Sequence, residues 1–306
     1  MNLGNKRVYF VTGKGGTGKT AVCVGLARSL ARRGKRVLVL EVDAPRPNLP
    51  SYFGGKSTYD PRVLAPRIEG ANIDFFSALD SYVRSVVPMK RVVGMVLRNR
   101  VVQIFLTATP GARELVVLSR IWEHSFDPRW DHIIVDLPAS GHAVALFRCP
   151  LLANRAFDRG PLRRRAHEIV SRFGDPEVAS LLFAALPGEM PINETLETRE
   201  VIESMGLPPV GGVLLNCYPN EAFTELDERL LDQLIESAAA EGAPDVAQQA
   251  SESAYIVRRE QHLATEGLSR LREAFGEQTL ALPILPGSHD QVAEGLSLVF
   301  GGTFGP

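Results

Sequence analysis

The 306-residue chain is 45% hydrophobic with a mean hydropathy near zero, enough apolar sequence for the core of one large α/β domain with an insertion. Its 34 Lys and Arg nearly balance 35 Asp and Glu, so net charge names no partner. Cys23, Cys149 and Cys217 stand far apart with no C-x-x-C pair, which argues against a zinc or Fe–S site, and no apolar run reaches the ~18 residues of a membrane-spanning helix.

From the N-terminus, Val8 to Thr12 (VYFVT) reads as a buried strand with no signal-peptide pattern before it, so the expected location is cytoplasmic. A glycine loop follows, then a helix from Thr20 to Arg33 with Val22, Leu26 and Leu30 along one side. Gly34 stops that helix, and Lys35 to Asp43 (KRVLVLEVD) is the next strand. A shorter run, Asn72 to Ser77, is expected to add another. His132 to Asp136, Leu181 to Leu186, Val210 to Asn216 and Leu280 to Leu285 follow as strands. Runs this apolar, without alternation, predict strands covered on both faces, and their alternation with helices predicts an α/β fold with a doubly wound, mostly parallel sheet.

The stretch from Asp80 to Leu106 breaks that rhythm. Leu79, Tyr82, Val83 and Val86, then Val92, Val93, Val96 and Leu97, recur at helical spacing, interrupted at Pro88. A helix start is expected at Thr109-Pro110, and a basic helical piece over Arg155 to Phe173, broken at Gly160-Pro161. These pieces predict an α-helical subdomain inserted at about 78–128 and 147–178 within a single domain covering 1–306. Its apolar stripes either pack on one another or line a groove for a hydrophobic client. Arginines crowd the stretch from Arg84 to Arg172; this is either a solvated basic face or a surface for an acidic partner or anionic membrane.

Gly13-Lys14-Gly15-Gly16-Thr17-Gly18-Lys19-Thr20 fits G-x-x-x-x-G-K-[ST] and lies between a strand and a helix, the context the motif requires. The glycines let backbone N–H groups converge on phosphate, and the helix start, through Ala21, adds its positive end. Lys19 is expected to reach the β- and γ-phosphates of ATP, and the Thr20 hydroxyl to ligate Mg²⁺. Asp136 ends an apolar strand, the position of a Walker B carboxylate that holds Mg²⁺ directly or through water. Asp43 ends another; it either orients the attacking water and meets the metal through water, or caps the turn before Pro45.

Lys14, at the second position of the loop, gives the deviant Walker A pattern. In the proteins it resembles, this lysine crosses a dimer interface to the partner's nucleotide, which implies a dimer closing around ATP and a catalytic role for Lys14 beside Lys19 and Asp43. Asp136 to His142 (DLPASGH) resembles the DTAPTGH signature of the arsenite-pump ATPase (ArsA) and tail-anchored-protein targeting ATPase family. Thr109 to Leu115, Pro191 to Arg199 (PINETLETR), Leu214-Leu215-Asn216 and Leu282 to Pro286 resemble further segments of it, so the likeness covers most of the chain and is closest to the short bacterial members. It implies a P-loop NTPase fold of the SIMIBI type, Asn216 reading the adenine, Pro286 flanking the base, and His142 either sensing the γ-phosphate or bonding within its own loop. The switch I segment departs from the family's DPAHSL or DPAHNL. Asp43-Ala44-Pro45-Arg46-Pro47-Asn48-Leu49 keeps the aspartate, displaces the proline and lacks the histidine, which points to low turnover.

The expected activity is therefore an ATPase whose dimer closes on Mg-ATP and controls a protein client through the helical subdomain. One alternative is a low-turnover assembly subunit, homodimeric or paired with a paralogue. The other is a ParA/MinD-type positioning ATPase, against which DLPASGH, PINETLETR and the lack of an amphipathic helix at Phe304-Gly305-Pro306 all argue. Nucleic acid is not an expected partner, and membrane contact is expected to be peripheral at most.

Overall fold

The computed structural model describes residues 3–44, 46–86, 111–156, 158–219, 225–240 and 243–304. β1 (Val8–Thr12) runs into α1 (Lys19–Arg32), then β2 (Val37–Val42), the short α2 (Leu49–Phe53), β3 (Arg62–Ala65), β4 (Ile68–Ile73) and α3 (Phe75–Val86). Next come α4 (Ala112–His124), β5 (His132–Asp136), α5 (Ser140–Ala156), α6 (Pro161–Phe173), β6 (Ala179–Ala185), α7 (Glu189–Met205) and β7 (Val210–Tyr218). The remainder is α8 (Glu225–Ala240), α9 (Pro244–Phe275), β8 (Thr279–Pro283) and α10 (His289–Phe300).

The strands form one sheet in the order β3-β4-β2-β5-β1-β6-β7-β8, parallel throughout except for the antiparallel β3–β4 edge. Both faces are covered, and the pleat sorts side chains between them. Val8 and Phe10 of β1, and Leu38, Leu40 and Val42 of β2, join the core under α3 to α7. Tyr9 and Val11, with Val37 and Val39, join the core under α1 and α10. On the first face the Phe10 ring is clamped edge-on by Phe147 of α5 and Phe173 of α6, centroids 5.0 and 5.1 Å away. The doubly wound parallel sheet is thus present as expected, with boundaries shifted by a residue or two.

Of Asn72 to Ser77, only Asn72 and Ile73 are strand, the last two residues of β4, and Phe75 opens α3. The reason is Asp74, whose Oδ1 accepts the Ser77 N–H at 2.9 Å and so caps the helix. Periodicity also passed over β3, too short and half-exposed to register, and the helical hairpin α8–α9.

The apolar stripe at Val92 to Leu97, the break at Pro88 and the helix start at Thr109-Pro110 fall outside the described residues. The described parts of the two expected insert pieces, α3 to α6, share one continuous core with the sheet. The expected boundaries 78 and 147 fall inside α3 and α5. Several arginines of the basic stretch already have partners: Arg84 pairs with Asp80 and Arg165 with Glu168, and Arg172 donates to the Ser125 carbonyl at 3.1 Å. No helix among the described residues is long and apolar enough to cross a membrane.

Candidate functional site

β1 ends at the sheet's centre and passes directly into the glycine loop, so the loop sits over the C-terminal edge of the parallel strands, where doubly wound sheets bind ligands. Two of its glycines have no room for a side chain. A Cβ on Gly13 (φ 150°) would lie 2.0 Å from the Ala184 carbonyl oxygen, and one on Gly18 (φ 80°) 2.3 Å from Asn216 Nδ2. Gly18 leads into α1 with no side-chain cap and no acid in the first turn, leaving the helix's first N–H groups open toward the loop. The Lys19 ammonium folds back on the loop, donating to the carbonyls of Gly13 (3.2 Å) and Lys14 (3.1 Å). Burial lowers its pKa, while Asp136 pulls it back up.

Thr20 Oγ1 donates to Asp136 Oδ2 at 2.5 Å, so the expected metal pair is in contact across α1 and β5. Asp136 is 8% exposed; burial pushes its carboxyl up to about 6, against the pull of the Thr20 hydrogen bond and Lys19. Beside it on β2, in register, stands Glu41 at 1% exposure, pushed up to about 7 by burial, with Asp136 adding to the rise. Glu41 escaped the sequence reading, although an acid inside VLVLEVD was its signal. With Lys19, Thr20, Ala21, Asp43, Gly16 and Gly18, these two acids line a cavity of about 940 Å³, within the range of small-molecule sites. A hydroxyl with one or two carboxylates is the hard-oxygen donor set that suits Mg²⁺, the remaining positions being left to phosphate and water.

The switch I segment leaves β2 through Asp43, whose φ of 48° is unusual for a non-glycine residue. Three side chains pin the segment. Arg113 of α4 forms an ion pair with Asp43, its Nε donating to Oδ2 at 2.8 Å, and its guanidinium lies 5.3 Å from the Phe75 ring centre. The Asn72 amide holds Ala44 from both sides, donating to its carbonyl (3.1 Å) and accepting its N–H (3.3 Å). Glu41 Oε1 accepts the N–H groups of Asn48 (2.5 Å) and Leu49 (3.3 Å).

Lys14, on the loop's outer flank, meets an acid of its own chain: its Nζ lies 3.3 Å from Glu194 Oε2 of α7. Ser140, at the start of α5, donates to the other oxygen of that carboxylate, and this bond, with Lys14, keeps Glu194 below the ordinary carboxylate range. The loop, the start of α5 and the PINETLETR helix therefore meet at one carboxylate.

The profile of the anion-transporting ATPase family matches residues 6–205, from the strand before the loop to the end of α7. This chain belongs to that family. It is 27% identical over 225 residues to a putative ATPase of Mycobacterium bovis and to the ATPase BagA of Mycobacterium tuberculosis, covering 70% of this chain and 66% of each of those. To an arsenical pump-driving ATPase of Escherichia coli it is 26% identical over 298 residues, covering 90% of this chain and 50% of the pump ATPase. The chain thus spans just under two thirds of the mycobacterial relatives and half of the pump ATPase.

The family match takes in the loop, Asp43, Asp136, Lys14 and Glu194, and stops short of the residues expected at the base. Of those, Asn216 lies beside the loop at the end of β7, 7% exposed, and its Nδ2 donates to the Thr17 carbonyl at 3.0 Å. Pro286 is exposed in the connection from β8 to α10 and is not among the residues lining the cavity. His142 is exposed on the first turn of α5. Glu194 lies within PINETLETR, and nothing in that segment says which neighbour it meets.

Proposed function

We propose that this family member is a Mg-ATP-hydrolysing switch that closes as a dimer and controls the binding of a protein client. The observation that carries the reading is the contact of Thr20 with Asp136 beneath a loop whose lysine rests on its own carbonyls. A bound triphosphate replaces those two carbonyls as the partner of Lys19 and takes up the open N–H groups at the start of α1. Magnesium, held by Thr20 and Asp136, would offset charge on the transferring phosphoryl group. Lys14 leaves Glu194 to reach a second nucleotide across the dimer. ATP shifts the open–closed equilibrium only through contacts that differ between the two states, and the Lys14–Glu194 pair is one that must break.

For the client, the α8–α9 hairpin adds to the helical pieces named from sequence, because Leu230, Leu234, Val246, Tyr255 and Ile256 are exposed along it. Arsenite is a poor cargo candidate for this chain. Cys23 and Cys149 are buried, and burial drives both thiols upward, Cys149 to about 12, away from the thiolate form that binds soft metals.

A second reading, a subunit with slow turnover, gains support from Asp43, whose carboxylate is already engaged by Arg113. The two separate on turnover. The parent is expected to hydrolyse ATP steadily and Lys19→Ala to lose at least 100-fold in kcat/KM, roughly the loss of a group that touches the reacting phosphate. Retained turnover in Lys19→Ala sinks the site. Tight ATP binding by the parent with less than one turnover per hour, about the level of a bystander subunit, favours the second reading, and Arg113→Ala then tests whether freeing Asp43 restores the rate.

A further inference from the structure

We propose that Glu41 is a positioning residue that ties the magnesium side of the cavity to the segment Asp43–Leu49, one carboxylate oxygen holding the segment and the other serving the metal's hydration shell. The metal half rests on the Mg-ATP reading above.

The strand itself sets up the arrangement. In β2 the pleat sends Leu38, Leu40 and Val42 to one core and Val37 and Val39 to the other, so Glu41 belongs with the latter, on the side of α1. Asp136 is its Cα partner on β5, and Ile134, two residues earlier, lies in that same core. Two carboxyls therefore stand side by side at the C-terminal ends of adjacent strands, under the helix that carries Thr20. Parallel register makes this juxtaposition; neither strand shows it alone.

The two oxygens of Glu41 have different surroundings. Oε1 accepts the N–H groups of Asn48 and Leu49, the start of α2. Carboxylates are favoured at such helix starts, because the first N–H groups have no partner within the helix. Oε2 is buried and has no hydrogen-bond partner among the described residues, yet the residue lines the cavity together with Thr20 and Asp136. A buried acceptor left without a donor is unfavourable unless something supplies one. Magnesium keeps several of its waters in phosphate sites, and each such water is a strong donor. Glu41 thus has one oxygen for the metal's water and one for the backbone that begins α2, which packs against α1 and α10. Filling of the metal site would pass to switch I through a single side chain.

The test uses the full chain with Glu41→Gln and Glu41→Ala, each first checked for a cooperative thermal melt, with Glu41→Ser in place of the alanine variant if that one fails to fold. Hydrogen exchange at the Asn48 and Leu49 amides, without nucleotide, reads the Oε1 contact. Exchange within about twofold of the parent is expected in Glu41→Gln, which keeps an acceptor oxygen, and about tenfold faster exchange in Glu41→Ala. The magnesium concentration that half-saturates tightening of a fluorescent ATP analogue reads Oε2, and is expected to rise about tenfold in both variants. An unchanged magnesium midpoint in Glu41→Gln overturns the metal half, and unchanged exchange in Glu41→Ala overturns the anchoring half. If the parent binds the analogue with no magnesium dependence, the Mg-ATP reading falls and takes the metal half with it. The exchange measurement needs no nucleotide and decides the other half in either case.

Discussion

Asp136 is buried, in contact with Thr20, and pushed up to about 6 from an ordinary 3.8. Between those two values the folded chain holds a proton that the unfolded chain has released, so stability falls as pH rises through that window. Above about pH 6 the full penalty is present, on the order of 3 kcal/mol for a shift of this size. Asp136→Asn is therefore expected to stabilise the empty protein by about 1–3 kcal/mol at pH 7.5 in urea unfolding, and by little at pH 4. Magnesium-dependent turnover should be lost in the same variant. Equal gains at the two pH values would show that charge burial is not the cause. Under the proposed Mg-ATP reading, a metal held by Asp136 would remove that penalty when it binds. Asp136 could be found from sequence because it ends its strand and begins a recognisable signature. For Glu41 the acid inside an apolar strand is the one signal, and the group it meets is not legible until the neighbouring strand is known.

At the scale of elements, the least legible part was α8–α9. Leu226, Leu230, Leu231, Leu234 and Ile235 recur at helical spacing along α8, but in α9 acids, glutamines and small residues interrupt the apolar stripe. Ala247, Ala254, Ala264, Leu268 and Leu271 are buried along α9, mixed with exposed Tyr255 and Ile256. Its C-terminal half is anchored on α7, where a Cβ on Gly267 would lie 2.3 Å from Ile192 Cδ1 and where Arg270 donates to Asn193 Oδ1 at 2.6 Å. Gly267→Val is expected to cost about 1–3 kcal/mol in thermal or urea unfolding, through overpacking of that joint. Leu234→Ser, on the exposed flank of α8, should stay within about 0.5 kcal/mol of the parent. A large loss for Leu234→Ser would mean that the flank is covered in the folded protein. The start of α3 was misread for a different reason: Asn72 to Ser77 is apolar enough for a strand, and only the cap made by Asp74 turns it into a helix.

At the scale of the molecule, the contact to watch joins the loop to α7. Lys14 and Glu194 are each about one third exposed, and a pair so exposed contributes at most about 1 kcal/mol. Such a restraint would oppose the proposed closure without preventing it. Glu194→Gln is expected to lower the ATP concentration for half-maximal dimer formation by at most about fivefold in sedimentation velocity, leaving monomer ATP affinity unchanged. A variant that dimerises less readily would instead place Glu194 among the groups the closed state requires.

The sequence by itself determined the nucleotide loop, the family, the parallel sheet and the acid at the end of β5, because each is written in local spacing: glycines at fixed offsets, apolar runs, and a signature of a few residues. Tertiary structure alone decided which groups meet. Parallel register set Glu41 beside Asp136, the return of α4 brought Arg113 to Asp43, and the docking of α7 gave Lys14 a partner within its own chain. Those pairings join residues 70 to 180 positions apart, and chain distance erases any local signal of them.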